Sequence, residues 1–215
     1  MGSRAAAIYL AHLNPFTNAH EKIISLLEKN YRVYIFPVRF MKGNHEVNTR
    51  SFPFPYAVRK TMIESVYGKG NKDVVILPTY TFESPFVRYF PPIFSPYSWR
   101  LRTQIINAVE EDDFVSYTGN IAERMMLYLY SLRPLKASRL ELSASEVRTL
   151  LYNDAISEKN KQIEQERMVR SWHNKIPKKT ISVIEENWKI VQSFANSQDN
   201  TMKVCGMKFP KNGFL

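Results

Sequence analysis

The stretch Leu13-Asn14-Pro15-Phe16-Thr17-Asn18-Ala19-His20 follows an apolar run over residues 5–10 and precedes an amphipathic segment that begins at Glu21. Read in order, that is a strand, a tight turn and a helix start. Thr17 and His20, three positions apart at the helix start, fall on one face beside backbone N–H groups that have no intrahelical partner. The positive end of the helix dipole lies there too, so the corner suits a triphosphate. The alternative is plainer: a capping threonine and a partly buried histidine.

A second segment, Leu142-Ser143-Ala144-Ser145-Glu146-Val147-Arg148, has the same physics. Ser143 and Glu146 are spaced as a capping box, which predicts a helix start with exposed N–H groups. Ser145 and Arg148 add a hydroxyl and a cation near that mouth. Taken alone, this segment also fits an ordinary capped surface helix.

Together the two segments resemble the signatures of the nucleotidyltransferase superfamily. The first is similar to G-x-F-x-P-x-(H/T)-x-G-H, with Ala11, Leu13, Asn14, Pro15, Thr17, Ala19 and His20 in its places. The second is similar to I-S-S-T-x-(I/V)-(R/K). Ala11 and Ala19 depart from the pattern, standing where the family has glycine; by that resemblance the extra methyl at 19 would crowd a bound phosphate. Thr17-Asn18-Ala19-His20 is most similar to bacterial phosphopantetheine adenylyltransferases. Other segments point to archaeal nicotinamide mononucleotide adenylyltransferases. Val115-Ser116-Tyr117-Thr118-Gly119-Asn120 resembles their V-Y-(T/S)-(G/N)-N, Phe52 to Arg59 their N-P-F-T-A-G-E-R with Val58 in place of the glutamate, and Trp172 with Ile176-Pro177 their last helix boundary.

The resemblance implies transfer of a nucleotidyl group from ATP to a phosphate-bearing acceptor, with nicotinamide mononucleotide the acceptor expected and pyrophosphate released. Carried over by position, Thr17, His20 and Arg148 form the catalytic set, Arg148 and Ser145 meeting the β- and γ-phosphates. Leu13, Asn14, Gly119, Asn120, Ser143 and Ser145 bind nucleotide, Gly119 and Asn120 lining the base pocket. Trp99 falls near the ring that stacks on nicotinamide. Arg59 is an acceptor or inter-subunit contact or a solvated helix arginine, and Lys42 reaches a phosphate or is a surface lysine. An acceptor phosphate is already a nucleophile, so the protein must align two anions and neutralise the leaving group. Mg2+ entering with ATP would bridge phosphate oxygens largely through water and needs no acidic cage. Phosphopantetheine adenylyltransferase, cytidylyltransferase and a catalytically degenerate nucleotide- or RNA-binding protein are the alternatives. A class I aminoacyl-tRNA synthetase fits poorly, because the chain is short and lacks a Lys-Met-Ser-Lys-Ser-like loop.

Composition bounds these readings. At 215 residues and 44% hydrophobic, the chain can bury a sizeable core. It has no apolar run near eighteen residues and no leader-like start, which predicts a cytoplasmic protein without membrane insertion. Cys205 is the single cysteine, so an internal disulfide and a zinc cluster are excluded. The net charge of +10 attracts polyanions, mononucleotides or nucleic acid alike. Much of it lies towards the C-terminus, where solvated helix faces are the first expectation and an RNA surface the second. The expected partners are ATP, a small phosphorylated acceptor and a second copy of the chain.

The remaining pattern predicts a doubly wound α/β fold with a parallel, Rossmann-like sheet and a C-terminal helical extension. Strands are expected at 5–12, 32–38, 74–77, 114–117 and 135–142. Helices are expected at 21–29, from Pro55 to about 66, and at 100–109, 121–132, 144–152, 157–172 and 179–195. Residues 39–53 read as a loop. Residues 79–99, rich in proline and aromatics, read as an ordered irregular segment, either a substrate wall or a cover over the core. The core would span residues 1–154, with an extension and tail over 155–215 packed on it.

Overall fold

The computed structural model describes residues 4–118, 121–135, 143–160 and 170–215. Its centre is a parallel sheet of β1 (Ala6–Ala11), β2 (Arg32–Pro37), β5 (Val74–Ile76) and β7 (Phe114–Tyr117), in the order β5-β2-β1-β7. In register, Ala6 of β1 faces Arg32 on one side and Phe114 on the other. These strands read as continuous apolar runs because both faces of the sheet are covered. Alternation then sorts the side chains. Ala7, Tyr9, Val33 and Ile35 enter one core cluster, and Ala6, Ile8, Tyr34 and Phe36 the other.

On the first face lie α1 (Asn18–Leu27), α2 (Tyr56–Tyr67), α5 (Ala144–Asn160), α6 (Lys178–Glu186) and α7 (Trp188–Ala195). The fully buried Trp172 stacks on Trp188 there. On the second lie α3 (Pro96–Asn107) and α4 (Ile121–Leu129), with a phenylalanine-rich cluster of Phe40, Phe82, Phe86 and Phe209.

Several elements differ from the sequence expectation. Residues 39–53 are not simply a loop. β3 (Arg39–Lys42) pairs antiparallel with β4 (His45–Glu46) and parallel with β6 (Thr81–Glu83), which lies inside the expected irregular segment. The pairing turns Phe40 and Phe82 inward, so these short strands are held by ring packing. α3 starts at Pro96 instead of 100, because the Ser95 hydroxyl accepts the Ser98 N–H at 3.2 Å and proline fits the first turn. α5 is one helix that runs through residue 154 without a break. The expected helix 179–195 is split at Asn187, whose φ/ψ of −104°/21° leaves the helical region and separates α6 from α7.

The tail is not helical. β8 (Thr201–Val204) and β9 (Met207–Pro210) form a hairpin turned by Cys205 and Gly206, with φ of +48° and +84°, the positive pair a tight hairpin turn requires. It is fastened at three places. Arg50 donates to the carbonyls of Phe194, Ala195 and Ser197, a cation at the carbonyl end of α7. Ser51 bonds Asp199 through its N–H at 3.1 Å and its hydroxyl at 2.7 Å. Beyond the hairpin, the Phe86 and Val87 N–H groups donate to the carbonyls of Gly213 and Phe214.

The strand expected at 135–142 is entered in the described residues: Pro134 bridges Ser116 in parallel, and the Leu135 N–H donates to the Ser116 carbonyl at 2.8 Å. Residues 136–142, and 161–169 of the expected helix 157–172, lie outside the described residues. Lys178, Lys179, Lys203, Lys208 and Lys211 are exposed, whereas Arg170 covers the Trp188 ring and Lys175 pairs with Glu146. No described helix is long and apolar enough to cross a membrane.

Candidate active site at the carboxyl ends of the strands

Among the described residues a cavity of about 860 Å3 opens beyond the carboxyl ends of β1 and β7, within the ~300–1,000 Å3 usual for small-ligand sites. Its wall begins where β1 turns into α1. Leu13 takes a left-handed φ of +50°, and the Asn14–Pro15 peptide is cis. The buried Asn14 side chain is spent on the scaffold: Nδ2 donates to the Phe54 carbonyl at 2.8 Å, and Oδ1 accepts the Phe54 N–H at 3.1 Å. Leu13 lines the cavity, whereas Asn14 meets the site only through its carbonyl.

Thr17 is the N-cap of α1 and fully buried. Its N–H donates to Nδ1 of His20 at 3.0 Å, with its hydroxyl 3.1 Å from the same nitrogen. A nitrogen that accepts a backbone N–H carries no proton, so the neutral His20 ring has its hydrogen on Nε2. His20 lines the cavity and Thr17 does not. Burial first, and Arg148 second, hold the His20 pKa down at about 4, so the ring is a neutral donor at pH 7. Ala11 and Ala19, in the two glycine places of the signature, line the cavity as well.

The second signature meets the first directly. Nη1 of Arg148 donates to the Asn14 carbonyl at 2.5 Å, and Nη2 to the Ser145 hydroxyl at 2.8 Å. The guanidinium thus bridges segments 134 positions apart, and Ser143, Ser145 and Arg148 all line the cavity. Ser143 caps α5 by accepting the Glu146 N–H at 3.2 Å. The Glu146 carboxylate departs from the expected capping box, since it reaches Lys175 at 2.6 Å. Burial draws the Arg148 pKa down while Tyr152 and Asp199 act against it.

Arg59, Lys42 and Trp99, like Thr17, are not on the cavity wall. Arg59 is 2% exposed, with Nη1 on the His12 carbonyl and Nη2 on Glu46, each at 2.8 Å. It is a buried tie between β4 and α2 and not a solvated helix arginine. Lys42 lies on β3, and its ammonium is taken by Asn212 of the tail at 2.9 Å. Trp99 is 39% exposed; its indole N–H donates to the Ile93 carbonyl, and its ring meets Tyr130 edge-on at 5.0 Å. Tyr130 lines the cavity, so Trp99 stands one ring behind the wall. Gly119 and Asn120 lie outside the described residues.

Other lining residues escaped the sequence reading. His12 stacks on Phe52 with centroids 4.3 Å apart, and burial, then Arg59, Arg148, Lys208 and His20, hold its pKa down at about 3. The hairpin contributes Lys203, Cys205, Gly206 and Lys208, and α4 contributes Glu123. The expected proline-rich segment supplies wall as well as core through Tyr80, Phe82, Tyr89, Phe90 and Pro92. Among the described residues no three His, Cys, Asp or Glu side chains come together as a metal site.

The sequence matches no family model, and no curated protein matches it either. Solved structures do match in fold. A bifunctional NMN adenylyltransferase/ADP ribose pyrophosphatase from Francisella tularensis superposes with a TM-score of 0.59 at 15% identity, over 89% of this chain and 52% of that one. The same kind of enzyme from that organism, complexed with AMP and a manganese ion, gives 0.55 at 16% identity, over 89% and 52%. A Vibrio parahaemolyticus protein assigned as a nicotinate-nucleotide adenylyltransferase gives 0.51 at 12% identity, over 88% of this chain and 96% of that one. The chain spans about half the length of the Francisella proteins. Its mixed α/β architecture, with a parallel central sheet, is that of these adenylyltransferases. The likeness does not single out the archaeal branch.

Proposed function

We propose that the chain transfers the adenylyl group of ATP to nicotinamide mononucleotide. An acceptor phosphate oxygen attacks the α-phosphorus, the bond to the β-phosphate oxygen breaks, and pyrophosphate leaves. The observation that carries this reading is the Arg148 bridge, which sets a cation between the N-terminal ends of α1 and α5 on the wall of one cavity. Two helix ends, a guanidinium and the Nε2–H of His20 favour a polyanion there. Held before the substrate arrives, they stabilise charge on departing pyrophosphate without reorganisation.

A divalent cation bound to the triphosphate supplies further charge neutralisation. The chain's own part in this reading is to hold the phosphates through Arg148, Ser145 and His20. The fold-mates described as NMN and nicotinate-nucleotide adenylyltransferases support the acceptor class. Placement of Ala19 on the cavity wall supports a second reading, a protein that binds nucleotide without transfer.

The test is pyrophosphate release, with products identified by mass, from ATP or CTP paired with nicotinamide mononucleotide, nicotinate mononucleotide or 4′-phosphopantetheine. ATP with a pyridine mononucleotide is the pair expected to react. Turnover with phosphopantetheine alone would replace the acceptor, and tight ATP binding without turnover would establish the second reading.

A further inference from the structure

Away from the phosphate corner the cavity wall holds an acid. Glu123, in the first turn of α4, lines it together with Thr118, which follows β7. The Thr118 hydroxyl donates to Oε2 of Glu123 at 2.6 Å. Burial pushes the carboxyl pKa up, and the Thr118 hydroxyl draws it back. A carboxylate removed from water is stabilised by N–H donors that add to the bond from its hydroxyl partner.

Its surroundings differ from the phosphate corner. The groups that bear on His20 and Arg148 include Arg148 itself, Tyr152 and Asp199, whereas the phenols of Tyr9 and Tyr80 feel the charge of Glu123. Tyr9, Tyr80 and Tyr130 line the same cavity. Among the described residues the cavity wall carries five cations, Arg102, Arg124, Arg148, Lys203 and Lys208, against one carboxylate, Glu123, which stands with Tyr9, Tyr80 and Tyr130.

We propose that Glu123 is a specificity-determining residue that reads an amino group on a flat heterocycle of the ligand. Its carboxylate accepts N–H bonds from an exocyclic amine or carboxamide and repels an oxygen in that place. Aromatic walls take the ring faces while the acid reads the ring edge. This rests on the nucleotidyl-transfer reading above. Two parts of the substrates carry the required chemistry, the 6-amino group of adenine and the carboxamide of nicotinamide. A site built for a donor discriminates strongly against an oxygen, because two acceptors then face each other without a proton.

The experiment compares the full chain with Glu123→Gln, which keeps shape and can still accept from Thr118 but offers an N–H2 group to an oxygen. Calorimetric titration and pyrophosphate release are measured with ATP against inosine triphosphate, and with nicotinamide against nicotinate mononucleotide. The unmodified chain should prefer the amino-bearing member of one pair by about tenfold or more. Glu123→Gln should bring that pair to within about threefold, leaving the other ratio and the melting temperature in place. The pair that moves identifies the group being read. Unchanged ratios in both pairs, or preference for the oxygen-bearing member in both, overturn the proposal. If the binding ratios shift as expected while no pair releases pyrophosphate, the transfer reading fails and the role of Glu123 stands.

Discussion

The N–H of Thr17 on Nδ1 of His20 fixes both the ring and its tautomer, leaving Nε2–H as the donor that a phosphate would meet. If that donor acts on the transition state, His20→Ala should lower kcat by roughly 10²–10³. Steady-state rates beside a melting curve check this, and an unchanged rate would return His20 to a capping role. The pH consequence has a definite sign. Both His12 and His20 have folded pKa values depressed below the ordinary 6.5, to about 3 and about 4. Above 6.5 neither state binds the proton and stability is level. Below it the unfolded chain takes up protons that the folded chain refuses, so stability falls as pH drops from 6.5 towards 4 and 3. Denaturant midpoints across that window should show the slope, and His12→Phe, which keeps the stack on Phe52, should flatten it. A midpoint independent of pH between 6.5 and 4 would contradict the depressed values.

At the scale of elements, the buried Arg59–Glu46 pair decides how β4 meets α2. Glu46 also accepts the Tyr56 N–H at 2.7 Å, supplying the N-terminal cap that Pro55 cannot. Removing one partner strands the other charge, so Arg59→Ala should cost about 3–5 kcal/mol of folding stability. Equilibrium denaturation measures it, and an acceptor role instead would raise the acceptor KM with stability intact. Arg59 also shows where sequence stops being legible. The buried strands β1, β2, β5 and β7 are readable as apolar runs, and the starts of α1 and α5 from Thr17 and Ser143, because those signals are local. The pairings of β3 with β6 and of Glu46 with Arg59 are not, since they join short polar or mixed segments through contacts outside the segments themselves. Ser95-Pro96 is a helix-start signal that the expectation of residue 100 passed over, and Cys205-Gly206 is a turn signal too weak to have raised an expectation of the hairpin. Of the cavity wall, the part where Arg148 joins the two motif segments could be read from those motifs. His12, Glu123 and Lys208 could not, because nothing in a single histidine, glutamate or lysine says which cavity it will line.

Across the whole molecule, the sheet separates two cores, and the second is completed from far along the chain. Phe209 is 1% exposed and packs against Phe40, Phe82, Phe86 and Phe90, while the hairpin turn borders the cavity. Gly213 secures the last crossing. Its φ is +86°, and a Cβ there would lie 3.0 Å from Oγ and 3.2 Å from Cβ of Ser84. Gly213→Ala should therefore destabilise by about 1–2 kcal/mol from backbone strain, with the contact adding to it. Hydrogen exchange would locate the loss at the N–H groups of Phe86 and Val87, and uniform loosening elsewhere would rule out the latch.

The edge-on contact of Trp99 with Tyr130 has an optical consequence. Of the three tryptophans, Trp172 and Trp188 are stacked on each other with centroids 6.0 Å apart in the first core, whereas Trp99 touches a ring of the cavity wall. An occupant that shifts Tyr130 changes the polarity and quenching around one indole and leaves the other pair as a constant background. Intrinsic emission then divides into a reporter and an internal reference without any label. Trp99→Phe should abolish the ligand-dependent part of the spectrum and keep the rest, giving a direct optical titration of the cavity.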